Sequence, residues 1–230
     1  MSNKNKRQKF AELATFGNAF QNFTPQAPAL KDNTGATIDY KGRWNEVYFD
    51  RSAPIVMELA CGKAEYTLHM AQHRPERNYL GVDIKGNRIW KGAKYAWQEG
   101  LSHVGFIRTH IEQLPHFMGH NEVSEIWITF PDPYPRKAKA RKRLTSPMFL
   151  GYYRQFVQPD GIINLKTDAD SLFAYTLEVI EQEGLPILRQ VNDVYKECPD
   201  DPLLTVKTFY EKMHLEEGRT IKFVSFRLNP

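Results

Sequence analysis

Cysteine, long apolar runs and net charge are all scarce in this chain, and each shortage excludes a class of protein. Its 230 residues include only two cysteines, Cys61 and Cys198. Two thiols make no disulfide framework, so a cytoplasmic, reducing location is expected. No apolar run approaches the roughly 20 residues that a membrane span needs, so no membrane association is expected. The first residues carry charge with no hydrophobic segment behind them, which argues against a secretory signal. No internal repeat is visible. Seven histidines are present, and His116 and His120 have the i, i+4 spacing that can grip a metal. No further ligand constellation accompanies them, so no metal is expected.

What is present is an ordinary globular composition, 41% hydrophobic and 25% charged, in a chain long enough for one sizeable domain with a short appendage. The formal net charge of +4 says little; its distribution says more. Six of the eight residues in Arg136-Lys137-Ala138-Lys139-Ala140-Arg141-Lys142-Arg143 are cationic, and the rest of the chain is slightly acidic. Positive charge gathered in one place suits a polyanion-binding patch better than a uniformly basic surface.

That run follows Phe130-Pro131-Asp132-Pro133-Tyr134-Pro135 directly. Proline fixes its own φ and pushes the residue before it toward extended conformations. Asp132 and Tyr134 are therefore expected in an extended, preorganised loop beside a dense positive field. A reacting carboxylate next to a phosphate-binding surface is the functional reading. A solvated, charged helix face is the plainer alternative for the cations.

Residues 1–50 carry Lys4, Lys6, Arg7 and Lys9, then Asn, Thr, Pro and Gly with little periodicity, and read as a partly ordered N-terminal arm. Its last motif, Tyr40-Lys41-Gly42-Arg43-Trp44, either docks on the body or touches nucleic acid, with docking the simpler role for Trp44. From residue 54 strands and helices alternate. Strands are expected at 55–59, 79–84, 104–107, 125–129 and 162–165, with helices at 63–73, 85–99, 146–157 and 169–183. A turn at Pro159-Asp160-Gly161 precedes the fifth strand. Two late strands, at 188–194 and 221–228, lack a long helix between them and are expected to pair antiparallel. This alternation predicts an α/β fold with a doubly wound sheet over residues 51–230.

Ligands of open α/β sheets bind beyond the carboxyl ends of the strands. Glu58, Asp83, Asp132 and Asp168 all fall at such ends. Any one of them could be an ordinary surface acid; four at equivalent positions suggest a site. An acid closing the second strand suits a ribose, whose two hydroxyls a carboxylate can accept together. The turn Glu58-Leu59-Ala60-Cys61-Gly62-Lys63-Ala64 is rich in small residues but is not G-x-G-x-x-G. That counts against a pyrophosphate-bearing dinucleotide and leaves S-adenosylmethionine, a nucleoside cofactor without phosphate, as the better fit. Cys61 in this turn reads as a small packing residue.

These residues carry a family resemblance over nearly the whole length after the arm. The chain resembles the bacterial single-subunit tRNA (guanine-N7-)-methyltransferases. Its Pro-Asp-Pro-Tyr-Pro turn and basic run are similar to the family's PDPWPKKRHxKRR signature. Leu165-Lys166-Thr167-Asp168 resembles its KTD motif, Thr208-Phe209-Tyr210-Glu211 its late T-x-[FY]-E motif, and Tyr40 to Trp44 the segment before its first strand. The resemblance implies a Rossmann-like class I methyltransferase, with a mostly parallel seven-stranded sheet and an antiparallel C-terminal strand. It implies that Glu58, Gly62, Asp83 and Asp132 bind the cofactor, and that Asp132 is the catalytic acid where cofactor and guanine meet. Arg136, Asp168, Thr208, Phe209, Tyr210 and Glu211 fall at its substrate positions. tRNA is the implied partner, with no obligatory protein partner, as a monomer or homodimer. Two departures stand out. Of the family's E-x-G-x-G-x-G only the middle glycine, Gly62, remains, between Ala60 and Ala64. Near the adenine, His110 stands where the family has Asp or Asn, with Glu112 two residues on.

Guanine N7 carries an in-plane lone pair on the major-groove edge and is unprotonated at neutral pH, so the chemistry implied is chiefly positioning. Rival readings are a methyltransferase for an amide or exocyclic amine, since Asp132-Pro133-Tyr134 resembles the [DN]-P-P-[YF] turn, and a non-catalytic RNA-binding scaffold. A nicotinamide oxidoreductase comes third.

Overall fold

The computed structural model describes residues 4–24 and 26–229. Met1 to Asn3, the start of the expected arm, and Pro25 lie outside the described residues. The chain divides into two compact units, residues 1–119 and 120–230.

The first unit is built on a parallel sheet. A near-continuous apolar run such as Ile55-Val56-Met57-Glu58-Leu59, interrupted only by Glu58, is satisfied by burial on both sides, and all five residues are buried. The N-terminal elements are α1 (Lys6–Leu13), β1 (Ala19–Asn22), β2 (Leu30–Lys31) and β3 (Thr37–Ile38). They are followed by β4 (Ile55–Leu59), α2 (Glu65–His73), β5 (Asn78–Asp83), α3 (Gly86–Gln98), β6 (Val104–Arg108) and α4 (Leu114–Phe117). Strand order is β3-β2-β1-β6-β5-β4. β4, β5, β6 and β1 run parallel, with Leu59 beside Val82, Asp83 beside Arg108, and Gln21 beside Arg108 on its other side. Their carboxyl ends therefore share one edge. β2 and β3 continue the sheet antiparallel.

The segment read as an arm thus supplies a helix and three strands. Its ordering comes from aromatic burial. Trp44 is fully buried, donates its indole N–H to the Phe117 carbonyl at 2.9 Å, and packs edge-on against Phe20, Tyr40 and Tyr48. α1 docks through Glu12, which accepts from Trp90 Nε1 at 2.7 Å and pairs with Lys4 and Lys94.

The second unit holds β7 (Val123–Thr129), α5 (Pro147–Tyr153), β8 (Val157–Thr167), α6 (Asp170–Gln182), β9 (Ile187–Val191), α7 (Val194–Glu197), α8 (Phe209–Glu216) and β10 (Lys222–Arg227). Strand order is β7-β8-β10-β9. β7 and β8 are parallel; β10 lies antiparallel to both β8 and β9, as expected for the last two strands. β8 starts earlier than expected. It runs through Pro159-Asp160-Gly161, and the register jumps from Val123 opposite Val157 to Glu125 opposite Ile162. The turn residues are therefore extruded as a bulge rather than ending the strand.

The described residues hold ten strands where seven were expected. The seven are all present, and the three extra ones, β1 to β3, are two to four residues long, too short for period-2 patterning to reveal. Among the described residues no helix is long and apolar enough to cross a membrane.

Candidate functional site

In the first unit the chemistry gathers where β4, β5 and β6 end. After β4 the chain makes three left-handed residues at alternate positions, Ala60 (φ 57°), Gly62 (φ 57°) and Ala64 (φ 59°). Only glycine takes this conformation freely; an L side chain there costs roughly 1–2 kcal/mol per residue. The glycine spacing of the resembled family is the backbone demand of this turn, and the two alanines meet it under strain.

Two acids hold the turn. Asp83, only 7% exposed, accepts the Gly62 amide at Oδ2 (2.9 Å) and the Lys85 amide at Oδ1 (2.8 Å). Glu58, 2% exposed, accepts both the amide (2.8 Å) and the hydroxyl of Thr67 at Oε2. Thr67 lies in the first turn of α2, whose leading residue Ala64 has no side chain able to cap it. Glu58 therefore does the capping from the neighbouring strand, where a carboxylate also meets the positive end of the helix dipole. Between them the Cys61 thiol is buried and its pKa is pushed well up, first by burial and then by Glu58 and Asp83. A thiol so placed is no nucleophile.

His110 lies two residues past β6. It is exposed and makes no capping hydrogen bond. The adjacent Thr109 is buried and receives the Asn22 amide group at 3.1 Å, which ties the ends of β1 and β6 together. Ile84, directly after Asp83, is an exposed apolar residue on the same edge. An edge with a bound acid, a small-residue turn, an apolar side chain and an imidazole suits a nucleoside without phosphate. S-adenosylmethionine is compatible with this donor and acceptor set.

In the second unit, Asp132 is exposed at the end of β7. Its turn is wound rather than extended: Phe130 has φ 48° and Tyr134 φ 43°. Tyr134 departs from the extended conformation expected before Pro135 because its carbonyl is held from outside. Arg143 donates to it from Nε (3.2 Å) and Nη2 (3.0 Å), and to the Pro133 carbonyl from Nε (3.2 Å). The Arg143 guanidinium lies 4.2 Å from the Tyr175 ring centroid on α6. The basic run is thus divided. Arg136, Lys137, Lys139, Arg141 and Lys142 are exposed on and around a tight helical turn at Lys137–Lys142, whereas Arg143 is 6% exposed and faces inward.

The two remaining motifs meet at α8. Lys166 and Glu211, both fully buried, form an ion pair of 2.6 Å, and the Tyr195 hydroxyl donates to the same Glu211 oxygen at 2.8 Å. Burial pushes the Lys166 pKa down and the Glu211 pKa up, each opposed by the charge of the other. Glu211 Oε2 is buried without a hydrogen bond. Thr208 caps α8, its hydroxyl accepting the Glu211 amide at 3.3 Å. Phe209 and Tyr210 are exposed on the first turn. Asp168 is held by Arg219 at 2.7 Å and faces His214 Nε2 at 3.6 Å, while the His214 ring lies 5.9 Å from that of Phe130.

Of the residues singled out from sequence, the structure brings Glu58, Gly62 and Asp83 together in the first unit. In the second it joins Thr208 to Glu211 and sets Asp168 against His214 of the same helix, whose ring lies near Phe130. Thr67, Tyr195, His214 and Arg219 have no role in the sequence reading, which groups Arg143 with the polyanion-binding run and includes Lys166 only as part of a motif. Lys166 carried a signal, a lone cation in the apolar strand Ile162-Ile163-Asn164-Leu165-Lys166, which needs a buried partner.

Comparison with known proteins bears on the family and the fold. A family model described as "Putative methyltransferase" matches residues 52–224. A protein of Christiangramia forsetii named tRNA (guanine-N(7)-)-methyltransferase is 43% identical over 229 residues, covering 99% of this chain and 100% of that one. A Bacteroides thetaiotaomicron protein of the same name is 44% identical over 225 residues, 98% of this chain and 86% of that one. Among solved structures, the 16S rRNA methyltransferase KamB superposes with a TM-score of 0.63 at 13% identity, covering 85% of this chain and 97% of that chain. That likeness is one of fold.

Proposed function

This chain belongs to the tRNA (guanine-N(7)-)-methyltransferase family, and from that premise we propose that it transfers a methyl group from S-adenosylmethionine to N7 of a guanine in tRNA. The cofactor supplies, when bound, an activated sulfonium methyl. Asp83 serves the ribose with the lone pairs left over from the Gly62 and Lys85 amides, and those amides keep its carboxylate oriented. Glu58 acts through the turn it supports: by capping α2 it holds Ala60 to Ala64 against the cofactor. His110 stands at the adenine.

Asp132 is the group at the reacting centre. No strong base is required, because N7 already presents its lone pair. Positive charge passes onto the purine during transfer, and a fixed carboxylate beside the ring stabilises it while accepting from the ring N–H and amino groups. Glu211 Oε2, buried and without a partner, is the second acceptor available to those donors. Asp168 and Thr208 act chiefly by fixing α8, and Phe209 and Tyr210 present aromatic faces to the RNA. Arg136 and the exposed cations after it take the phosphates, so affinity falls steeply with salt. A guanine in the variable loop or in a loop-like tertiary stack is the accessible target. We place the enzyme in the cytoplasm, with residues 51–230 as its catalytic domain, acting as a monomer or homodimer without an obligatory partner.

The observation that carries this reading is the retention of Glu58 and Asp83 at strand ends of the first unit, and of Asp132 past a strand end of the second, where a localised polycation follows it in the chain. The test is incubation with labelled S-adenosylmethionine and unmodified tRNA, followed by mapping of the methylated atom. 7-Methylguanosine in wild type, and its loss in Asp132→Ala with cofactor affinity retained, is the expected result. Methylation of an amide or exocyclic amine, or absence of cofactor binding, would point to the rival readings.

A further inference from the structure

We propose that Arg143 is a positioning residue that clasps the Asp132 turn to α6, rather than the last phosphate contact of the basic run. This rests on the assignment of Asp132 to the reacting centre. Between Phe130 and Arg143 the chain forms a closed loop. At one end are two left-handed non-glycine residues, Phe130 and Tyr134, a conformation that does not hold itself. At the other end the backbone is fixed to the body of the unit. The Leu144 carbonyl accepts from the Tyr153 hydroxyl at 2.9 Å, and the Thr145 hydroxyl shares a hydrogen bond of 2.7 Å with that of Thr176 on α6.

Arg143 joins the two ends. Its three donations to the Pro133 and Tyr134 carbonyls fix the backbone just after Asp132. The Tyr175 ring under the guanidinium fixes the arginine in turn. A planar fork with several donors and a face for stacking is what this geometry needs; a lysine ammonium provides neither. Prolines at 131, 133 and 135 give the turn no amide with which to hydrogen-bond itself at those positions, so the carbonyls must be satisfied from outside. The exposed cations sit on the segment that the clasp spans. tRNA can therefore pull on residues 136–142 without dragging Asp132 out of register.

The experiment compares wild type, Arg143→Lys and Tyr175→Leu, each first checked for folding by thermal melting. Arg143→Lys keeps the charge and removes the fork. The expected result is a kcat lower by about 100-fold, the loss that an ångström of misplacement produces, with KM for tRNA within roughly threefold of wild type. The salt slope of tRNA binding should stay unchanged, because no phosphate contact is lost. Hydrogen exchange of a peptide spanning residues 130–137, measured on the protein alone, should quicken in both variants. Lys139→Ala, on the exposed side, should instead weaken tRNA binding and flatten the salt slope. A wild-type kcat in Arg143→Lys, a flattened salt slope, or unchanged exchange over 130–137 would each overturn the clasp. Should wild type itself give no 7-methylguanosine, the functional reading fails, and the exchange measurement still decides whether Arg143 holds the turn.

Discussion

A β-carbon built on Gly92 would lie 2.4 Å from the β-carbon of Ala64. The methyl that Ala64 carries in place of the family's glycine is accommodated because α3 offers no side chain opposite it. Gly92→Ala would ordinarily favour a helix by nearly 1 kcal/mol. Here it should destabilise by about 1–3 kcal/mol through overpacking. Adding Ala64→Gly should recover part of that loss, since it removes the clash and relieves a left-handed alanine. The Lys63 carbonyl, 3.0 Å from the same built carbon, limits the recovery. A double-mutant cycle by denaturant melting measures the coupling; purely additive effects would show that the two positions do not touch.

The same pair shows what the sequence made legible. The parallel strands β4 to β6 of the first unit and β7 and β8 of the second could be read because buried parallel strands are near-continuous apolar runs, and Glu58, Asp83, Asp132 and Asp168 fall in or just after them. The cofactor turn was recognisable as small-residue rich, yet its departure from glycine could not be interpreted without the φ angles of Ala60 and Ala64. β1 to β3 were invisible because strands of two to four residues carry no period. Arg143 looked like its neighbours in the basic run, since nothing local distinguishes a cation facing a turn's carbonyls from one facing water. Glu211 and Lys166 are 45 residues apart in number, and only the fold pairs them.

That pair yields a second prediction. Glu211→Gln keeps the shape and removes the carboxylate paired with the buried Lys166 ammonium, which should cost about 3–5 kcal/mol. For a chain of this size that is a fall in Tm of about 10 °C. Lys166→Met combined with Glu211→Leu should restore most of the melting temperature, because apolar replacements of a buried pair are often neutral. Activity should not return with it if Glu211 Oε2 contacts the purine. Recovery of both would remove Glu211 from the substrate site.

The two thiols should behave differently. Cys61 is buried with its pKa raised, whereas Cys198 is half-buried and receives Arg189 Nη2 at 2.8 Å. Ellman's reagent should therefore titrate one thiol quickly in the native protein and a second only on unfolding, the slow one disappearing in Cys61→Ser. Two fast thiols would mean that the cofactor turn opens readily, contrary to the tethers from Asp83 and Glu58.

Acid should release the N-terminal helix before it unfolds the protein. The Glu12 carboxyl is held down to about 2 from an ordinary 4.5, first by the hydrogen bond from Lys4, with Trp90 and Lys94 adding to it against the opposing effect of burial. A carboxylate whose pKa is lower when folded binds more protons in the unfolded chain. Its contribution is therefore complete above pH 4.5 and is lost as the pH falls toward 2. Glu12→Gln should lower Tm by about 2 °C at pH 7, in keeping with a partly exposed ion-pair cluster. The gap between wild type and variant should close between pH 4.5 and 2. Fluorescence should report the change at Trp90, whose indole N–H donates to Glu12. The absence of a gap at pH 7 would mean that α1 docks by apolar contact with the carboxylate contributing nothing, and a gap that persists at pH 2 would mean that Glu12 acts otherwise than through its charge.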